Sequence, residues 1–202
     1  MPNGNRMEFL SLGILVVTFA AACSSAQSDE PGPTATAGSG ANPASDAPQV
    51  ASPLDVSSYV QNPCQLLTVA QLQTIGFTSS TAPSTDDSNP NDHQCAWDDD
   101  NTSAHIGAVW QGAFTNGIAD LYAKKSELKY FQPVQIGGYP AVVGSESDDR
   151  ADGTCVVNVG PTNTNEYFIR YSAPNEPQKS RACDIAQKVA GLTIDTLKGG
   201  GR

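Results

Sequence analysis

Histidine is scarce in this chain of 202 residues, which contains only His93 and His105. A Ser-His-Asp triad needs a histidine within reach of its nucleophile, and Gly144-Ser145-Glu146-Ser147 is not the nucleophile elbow of a serine hydrolase. No Cys-x-x-Cys pair occurs either, so the usual spacing of a tetrahedral zinc site is missing. These absences argue against nucleophilic catalysis and against a zinc centre.

Basic residues are also few, with 11 Lys and Arg against 21 Asp and Glu and a formal net charge of -10. Nucleic acids and anionic membrane surfaces both attract a basic protein face. The chain has no phosphate-binding glycine loop, because Gly199-Gly200-Gly201 belongs to the C-terminal tail. We therefore expect no nucleic-acid partner and no cofactor.

The apolar run near the N-terminus is too short to span a bilayer comfortably. Arg6 precedes this run, and Phe19-Ala20-Ala21-Ala22-Cys23 ends it. The layout predicts a lipoprotein signal peptide over residues 1–22. Cys23 is then the first residue of the mature chain, acylated with palmitate-type lipid, and its membrane partner is the outer face of the cytoplasmic membrane.

Two alternatives to lipidation remain open at this point. Ala20-x-Ala22 also fits the cleavage site of an ordinary secreted protein, and the run could stay as an uncleaved anchor. Ala20 stands where the lipoprotein motif prefers Leu. All three possibilities place the rest of the chain outside the cytoplasm.

Large apolar residues are nearly absent from residues 23–55, where Ser, Ala, Pro, Gly and Thr predominate. Such a segment buries too little surface to offset the entropy lost on ordering. We predict a disordered tether over 23–55, one extracytoplasmic domain over 56–198 and a tail over 199–202. A domain of this size can form one hydrophobic core.

Five cysteines leave four once Cys23 is lipidated, and an even number in an exported chain predicts disulfides. If residues 154–159 and 167–171 form an antiparallel hairpin, Cys155 lies near the start of the last helix, where Cys183 stands. That topology pairs Cys155 with Cys183 and leaves Cys64 with Cys95. The alternative pairs Cys95 with Cys155 and Cys64 with Cys183.

The periodicity of apolar residues predicts helices and strands in separate runs. Asn62 is a candidate cap for an opening helix, Thr68 and Gln71 form a candidate capping box, and Trp97 and Trp110 are candidate core residues. Residues 78–91 read as a loop. The predicted order of helix, two strands, helix, four strands and helix indicates an α+β fold, an antiparallel sheet with helices packed on one face. The strands fall near 94–97, 104–110, 134–136, 139–144, 154–159 and 167–171, and the later helices near 115–128 and 182–189.

Several spaced motifs resemble a known family. They are Pro63-Cys64-x-Leu66-Leu67, Cys95-x-Trp97, Gly138-Tyr139-Pro140-Ala141, Cys155-x-Val157 and Cys183 before Ile185-Ala186. Together they resemble an actinobacterial family of secreted lipoproteins, domain of unknown function 3558, over about residues 56–197. The resemblance implies an envelope lipoprotein with no catalytic residues to transfer. The layout is also similar to extracytoplasmic sensor domains of actinobacterial kinases, which implies binding.

Two functions from different classes fit these observations. The first is a module that binds an envelope ligand or a protein partner through aromatic side chains, with Tyr130, Tyr139, Tyr167 and Tyr171 as candidates. The second is a hydrolase of envelope polymer that uses paired carboxylates such as Asp98 and Glu146. We expect the binding module and no catalysis, because no catalytic constellation is recognisable.

The acidic turn Asp98-Asp99-Asp100 is a candidate calcium site, because carboxylate oxygens are the ligands that calcium prefers. No EF-hand loop supports this interpretation. Such turns in acidic proteins are usually solvated, so we predict no metal.

Overall fold

The computed structural model describes residues 46–78, 83–85, 89 and 91–200. The predicted signal peptide, Cys23 and the tether up to residue 45 lie outside the described residues, as does much of the loop predicted over 78–91. In the described part of the chain, no helix combines the length and the apolar character that crossing a membrane requires.

The centre of the fold is a seven-stranded sheet in which every neighbouring pair of strands is antiparallel. Its spatial order is β1-β2-β3-β7-β6-β5-β4, so the last strand of the chain returns to the middle, beside β3. The predicted α+β class is confirmed. The strands are β1 Ser84–Thr85, β2 Asp92–Asp99, β3 Ala104–Gln111, β4 Tyr130–Ile136, β5 Tyr139–Ser145, β6 Thr154–Val159 and β7 Tyr167–Ser172.

Four α-helices accompany the sheet in the described residues: α1 Ser57–Gln61, α2 Val69–Thr74, α3 Ile118–Ala123 and α4 Ala182–Asp195. Short 3-10 turns lie at Pro63–Leu66, Lys125–Glu127, Arg150–Asp152 and Lys179–Arg181, and a further helical turn follows α4 at Thr196–Gly200.

The predicted capping box of α2 is confirmed. Gln71 N donates to Thr68 Oγ1 over 3.2 Å, and Thr68 N donates to Gln71 Oε1 over 2.8 Å. Asn62 occupies the predicted N-cap position, before Pro63 in the 3-10 turn Pro63–Leu66. Its side chain makes no capping hydrogen bond there and donates instead to the carbonyl of Ser58 in α1 over 3.1 Å. The sequence pattern does not predict α1, and the carbonyl that accepts from the Asn62 side chain lies in this helix.

One face of the sheet, which we call the packed face, carries the main core. Trp97 and Trp110 are each 2% exposed there, as predicted for core residues. Tyr167 lies 4.7 Å from Trp110 between ring centroids, and its hydroxyl is 2.6 Å from Thr193 Oγ1 on α4. The helix contributes further buried side chains, namely Ile185, Ala186, Val189, Ala190 and Ile194.

Two disulfides tie helical segments to the sheet. Cys64 bonds to Cys95 with 5.1 Å between their Cα atoms, and Cys155 bonds to Cys183 with 5.0 Å. The predicted hairpin of β6 and β7 is present, with Cys155 opposite Tyr171. The pairing derived from that hairpin is therefore confirmed, and the alternative pairing is wrong.

Residues 46–55 lie on the domain, although the sequence analysis assigned them to the tether. Val50 is 5% exposed and belongs to the core. Its amide donates to Asn163 Oδ1 over 2.8 Å, and Asn163 Nδ2 donates back to its carbonyl over 3.2 Å. The Leu54 amide donates to the Pro161 carbonyl over 3.1 Å. Val50, the buried Ala47, the partly buried Leu54 and several hydrogen bonds hold this segment on the domain. The Ser-, Ala- and Pro-rich composition of the segment does not predict these contacts.

The opposite face of the sheet, which we call the open face, has far less cover. There Phe114, Ile118 and Leu121 pack on Val142 of β5, which places α3 on the side of the sheet away from α4. The α+β class holds, but the prediction that the helices pack on one face is corrected for α3, because Val142 gives the second face an apolar surface of its own. The helix is shorter than the predicted 115–128. It begins after Gly117, where φ is 56° and a β-carbon would lie 2.9 Å from the Thr162 carbonyl oxygen, so only glycine fits.

Candidate functional site

A cleft of about 440 Å³ lies on the open face, between the floor of the sheet and α3. Its volume falls within the range of small-molecule sites, roughly 300–1,000 Å³. The described residues that line it come from β3, β5, β6 and β7, from α3 with its flanking segments, and from the loop after β5. They are Gln111, Phe114, Leu121, Lys124, Leu128, Gly144, Ser145, Glu146, Ser147, Val156, Asn158, Phe168 and Arg170.

Side chains of β7 point alternately to the packed face and to the open face, and two of them form part of the floor of the cleft. Tyr167, Ile169 and Tyr171 are buried in the packed core, so Phe168 and Arg170 point to the open face. Phe168 is half-buried in the cleft and Arg170 is exposed. A partly exposed aromatic ring in the middle of a sheet is the apolar contact surface that a bound ligand would cover.

The register of the sheet sets the surroundings of Arg170. Its direct partners are Val156 on β6 and Gly107 on β3, and cross-strand partners share a face of the sheet. Neither partner brings a charge, and Gly107 brings no side chain. The two residues that pair directly with Arg170 therefore place no charged side chain against its guanidinium.

Asn158 fixes the floor beside Phe168. The backbone pairing of β5 with β6 joins only residues 141–143 to residues 157–159. The side-chain amide of Asn158 donates to the carbonyls of Val142 and Gly144, over 3.3 and 2.9 Å. This buried side chain holds β5 against β6 at the point where the regular ladder ends.

The apolar wall of the cleft comes from α3 and its flanks. Phe114 and Leu121 are buried, and Leu128 is half-buried. Lys124 Nζ lies 5.0 Å from the centroid of the Phe114 ring, a cation–π distance. The wall therefore presents apolar surface together with one ammonium group.

The charged groups that line the cleft are Lys124, Arg170 and Glu146. Within the described residues the ion pairs are those of His105 with Asp98 and of Arg150 with Asp148, and neither involves the cleft. The cleft thus holds two cations and one carboxylate, none of them in an ion pair with another described residue.

Glu166 is buried next to this site, immediately before β7. It is 1% exposed, and neither carboxyl oxygen has a well-formed hydrogen bond to a described residue. Burial raises the pKa of Glu166 well above 4.5, the negative charge of Asp120 raises this pKa further, and the nearby Gln111 side chain opposes the shift. Gln111 lines the cleft, so the Glu166 carboxyl lies just behind the site.

The four tyrosines proposed as ligand contacts do not line this cleft. Tyr171 is buried in the packed core, and burial raises its pKa. Tyr167 donates to or accepts from Thr193, and burial likewise raises its pKa. Both rings fill the core beneath α4, where a ligand has no access.

Tyr139 and Tyr130 also have structural partners. The Tyr139 hydroxyl donates to the Ser52 carbonyl over 3.0 Å, so this ring fixes the 46–55 segment. The Tyr130 hydroxyl accepts from the Val156 amide over 3.4 Å, the Arg150 guanidinium lies 4.2 Å from its ring centroid, and burial raises its pKa. Phe168 and Phe114 are the aromatic residues that line the cleft instead.

The structure separates the two carboxylates of the hydrolase hypothesis. Glu146 lines the cleft, whereas Asp98 Oδ1 lies 2.7 Å from His105 Nδ1 on the β2–β3 hairpin and is not among the lining residues. The two acids therefore do not share this cleft.

The candidate calcium residues lie at the β2–β3 turn, where Asp99 accepts hydrogen bonds from the backbone. Asp99 is buried and accepts from the Thr78 amide over 3.1 Å and from the Asn101 amide over 3.0 Å. Asp98 pairs with His105, and Asp100 is exposed. In the described part of the chain no three His, Cys, Asp or Glu side chains group as a metal site would need.

The fold and the cleft define a disulfide-linked α+β domain whose sheet has one packed face and one open face. The chain belongs to the family described as "Protein of unknown function (DUF3558)", whose family model matches residues 18–196. No curated protein and no solved structure matches the chain. The match confirms the predicted membership of domain of unknown function 3558, and the family's description names no activity.

Proposed function

We propose that this protein is a binding module of the cell envelope and that its ligand occupies the cleft on the open face. The observation that carries the proposal is Phe168, an aromatic side chain left half-buried in the middle of the sheet. The apolar groups of Phe114, Leu128 and Val156 surround the same space. A concave, mainly apolar site with a few polar groups is the usual form of a small-molecule site.

The charges of the cleft favour binding over glycoside hydrolysis. Hydrolysis by paired carboxylates needs two of them about 5 to 10 Å apart across the substrate. Among the described residues that line the cleft, Glu146 is the single carboxylate. We therefore propose a binding role for the cleft and no catalytic residue in it.

The proposed location is the outer face of the cytoplasmic membrane, with Cys23 as the lipid anchor. Two disulfides support an oxidising compartment, because cytosolic thiols are kept reduced. The ligand of the proposed site is then a molecule of the envelope or of the surrounding medium.

A fluorescent apolar probe, N-phenylnaphthylamine, tests the proposed site. We expect saturable binding to the wild type and about tenfold weaker binding to Phe168→Glu, because an apolar ligand would desolvate the new carboxylate. Val69→Glu is the matched control, since Val69 is 62% exposed on α2 and does not line the cleft. Equal binding by all three proteins, at equal melting temperatures, would contradict the proposal.

A further inference from the structure

Arg170 is a cation of the cleft in an acidic protein. Among the described residues its side chain makes no ion pair and no hydrogen bond. It stands on β7, the central strand of the sheet, although the whole chain has 21 acidic residues that could have neutralised it. An arginine has five N–H donors that match a carboxylate or a phosphate. Arg170 therefore offers these donors to a ligand in the cleft.

Lys124, directly after α3, adds a second positive charge on the apolar wall of the cleft. Its ammonium lies over the Phe114 ring, which keeps it at the apolar wall. Glu146 is the one acid among the described lining residues, and it is exposed in the loop after β5, without an ion pair to either cation. The formal charge of the lining side chains is positive, against the sign of the whole chain.

We infer that the ligand is a single-chain lipid acid, whose acidic head pairs with Arg170 while its hydrocarbon chain covers Phe168, Leu128 and Phe114. This inference rests on the proposed function. A small free anion would leave the apolar wall uncovered. A neutral hydrocarbon would leave the Arg170 guanidinium without an acceptor. An acid with an apolar chain satisfies both parts of the cleft.

Calorimetric titration with three probes of equal chain length tests this inference. The probes are laurate, dodecanol and dodecylamine, each kept below the concentration at which it aggregates. We expect laurate to bind the wild type most tightly. Arg170→Gln should weaken laurate about tenfold or more, because a charge-assisted hydrogen bond is lost, and should leave dodecanol nearly unchanged.

The matched control is Arg181→Gln. Arg181 is exposed, makes the same change of charge when substituted, and precedes α4 on the packed side of the sheet. Laurate should bind this variant as it binds the wild type. A loss of affinity in both variants would show a general effect of net charge and would overturn the assignment to Arg170.

The outcomes separate the two proposals. Equal affinity for laurate and dodecanol, with no effect of Arg170→Gln, would overturn the acidic head and leave an apolar site. Inorganic phosphate that binds as tightly as laurate would overturn the lipid chain. Failure of every chain-bearing probe to bind the wild type would contradict the proposed function itself.

Discussion

Glu166 shows how one buried residue links pH to stability. Burial raises the pKa of its carboxyl because the charged form loses its hydration, and the Asp120 charge raises this pKa further, against the opposing Gln111 side chain. In the unfolded chain its pKa returns to about 4.5. The folded state holds the proton more tightly, so the stability from Glu166 is fully present below about pH 4.5. It is lost as the pH rises through the raised pKa of the folded state.

We predict that Glu166→Gln unfolds with a higher free energy than the wild type at pH 8, by about 1 kcal/mol or more, and that the two converge near pH 4. The substitution removes the ionisation and keeps the shape of the side chain. Urea denaturation over a series of pH values measures the difference. Glu127→Gln is the control, since Glu127 is exposed, and it should follow the wild type. Parallel pH profiles for wild type and Glu166→Gln would show that Glu166 is not the group responsible.

Phe168 and Arg170 show where sequence reasoning stops at the level of residues. The pattern of β7 predicts a strand, and it predicts that alternate residues are buried. Both sets of residues contain an aromatic ring, so the pattern does not say which set faces α4. That choice depends on β7 lying between β3 and β6, which is a long-range pairing. The sequence prediction of Tyr167 and Tyr171 as ligand contacts therefore names the buried set of β7, and Phe168 and Arg170 belong to the set that lines the cleft.

At the scale of chain segments, residues 46–55 extend the folded domain toward the N-terminus. This segment is joined to the loop after β6 through Asn163 and Pro161, and to β5 through the Tyr139 hydroxyl. Val50 adds a buried side chain to the core. Burial of a valine contributes about 1.5–3 kcal/mol, and each hydrogen bond about 1 kcal/mol.

We predict that a chain beginning at residue 46 melts like the mature protein and that a chain beginning at residue 56 melts at least about 5 °C lower. The shorter chain loses the Val50 contacts and leaves Tyr139 without its acceptor. Differential scanning calorimetry of the two chains gives the comparison. Equal melting temperatures would show that the segment contributes nothing to stability.

The elements differ in how well the sequence predicted them. Residues 154–159 were predicted with the bounds of β6, because the strand is apolar and glycine or turn residues flank it. Helix α3 proved shorter than predicted, because Gly117 delays its start and the chain tightens into a 3-10 turn after Lys124. Both disulfides followed from the β6–β7 hairpin, since that hairpin fixes the place of Cys155. These predictions rest on short-range patterns of the sequence. The position of the open face depends on the long-range pairing of β7 with β3, which such patterns do not show.

In the described part of the molecule, one face of the sheet carries the main core and the other carries the cleft. The packed face holds both tryptophans, α4 and the core that encloses the two disulfides, and it accounts for most of the buried apolar side chains. The open face carries α3 and the cleft. Substitutions in the cleft can therefore change binding without removing the main core, which makes the proposed site testable.

Anchoring by Cys23 is a prediction about the whole molecule. We expect the wild type in the membrane fraction and Cys23→Ser in the culture medium, because loss of the acylated thiol removes the hydrophobic anchor. Immunoblots of fractionated cells measure the distribution. Release of wild type and variant in equal amounts would contradict the anchor and favour ordinary secretion.

The central claim is that the cleft on the open face holds a ligand, and mass spectrometry of the protein isolated from its own envelope tests it most directly. The account predicts a copurifying apolar molecule with an acidic group, present in the wild type and in Val69→Glu and absent from Phe168→Glu. Recovery of the same molecule in equal amount from Phe168→Glu, with the fold intact, would contradict the claim.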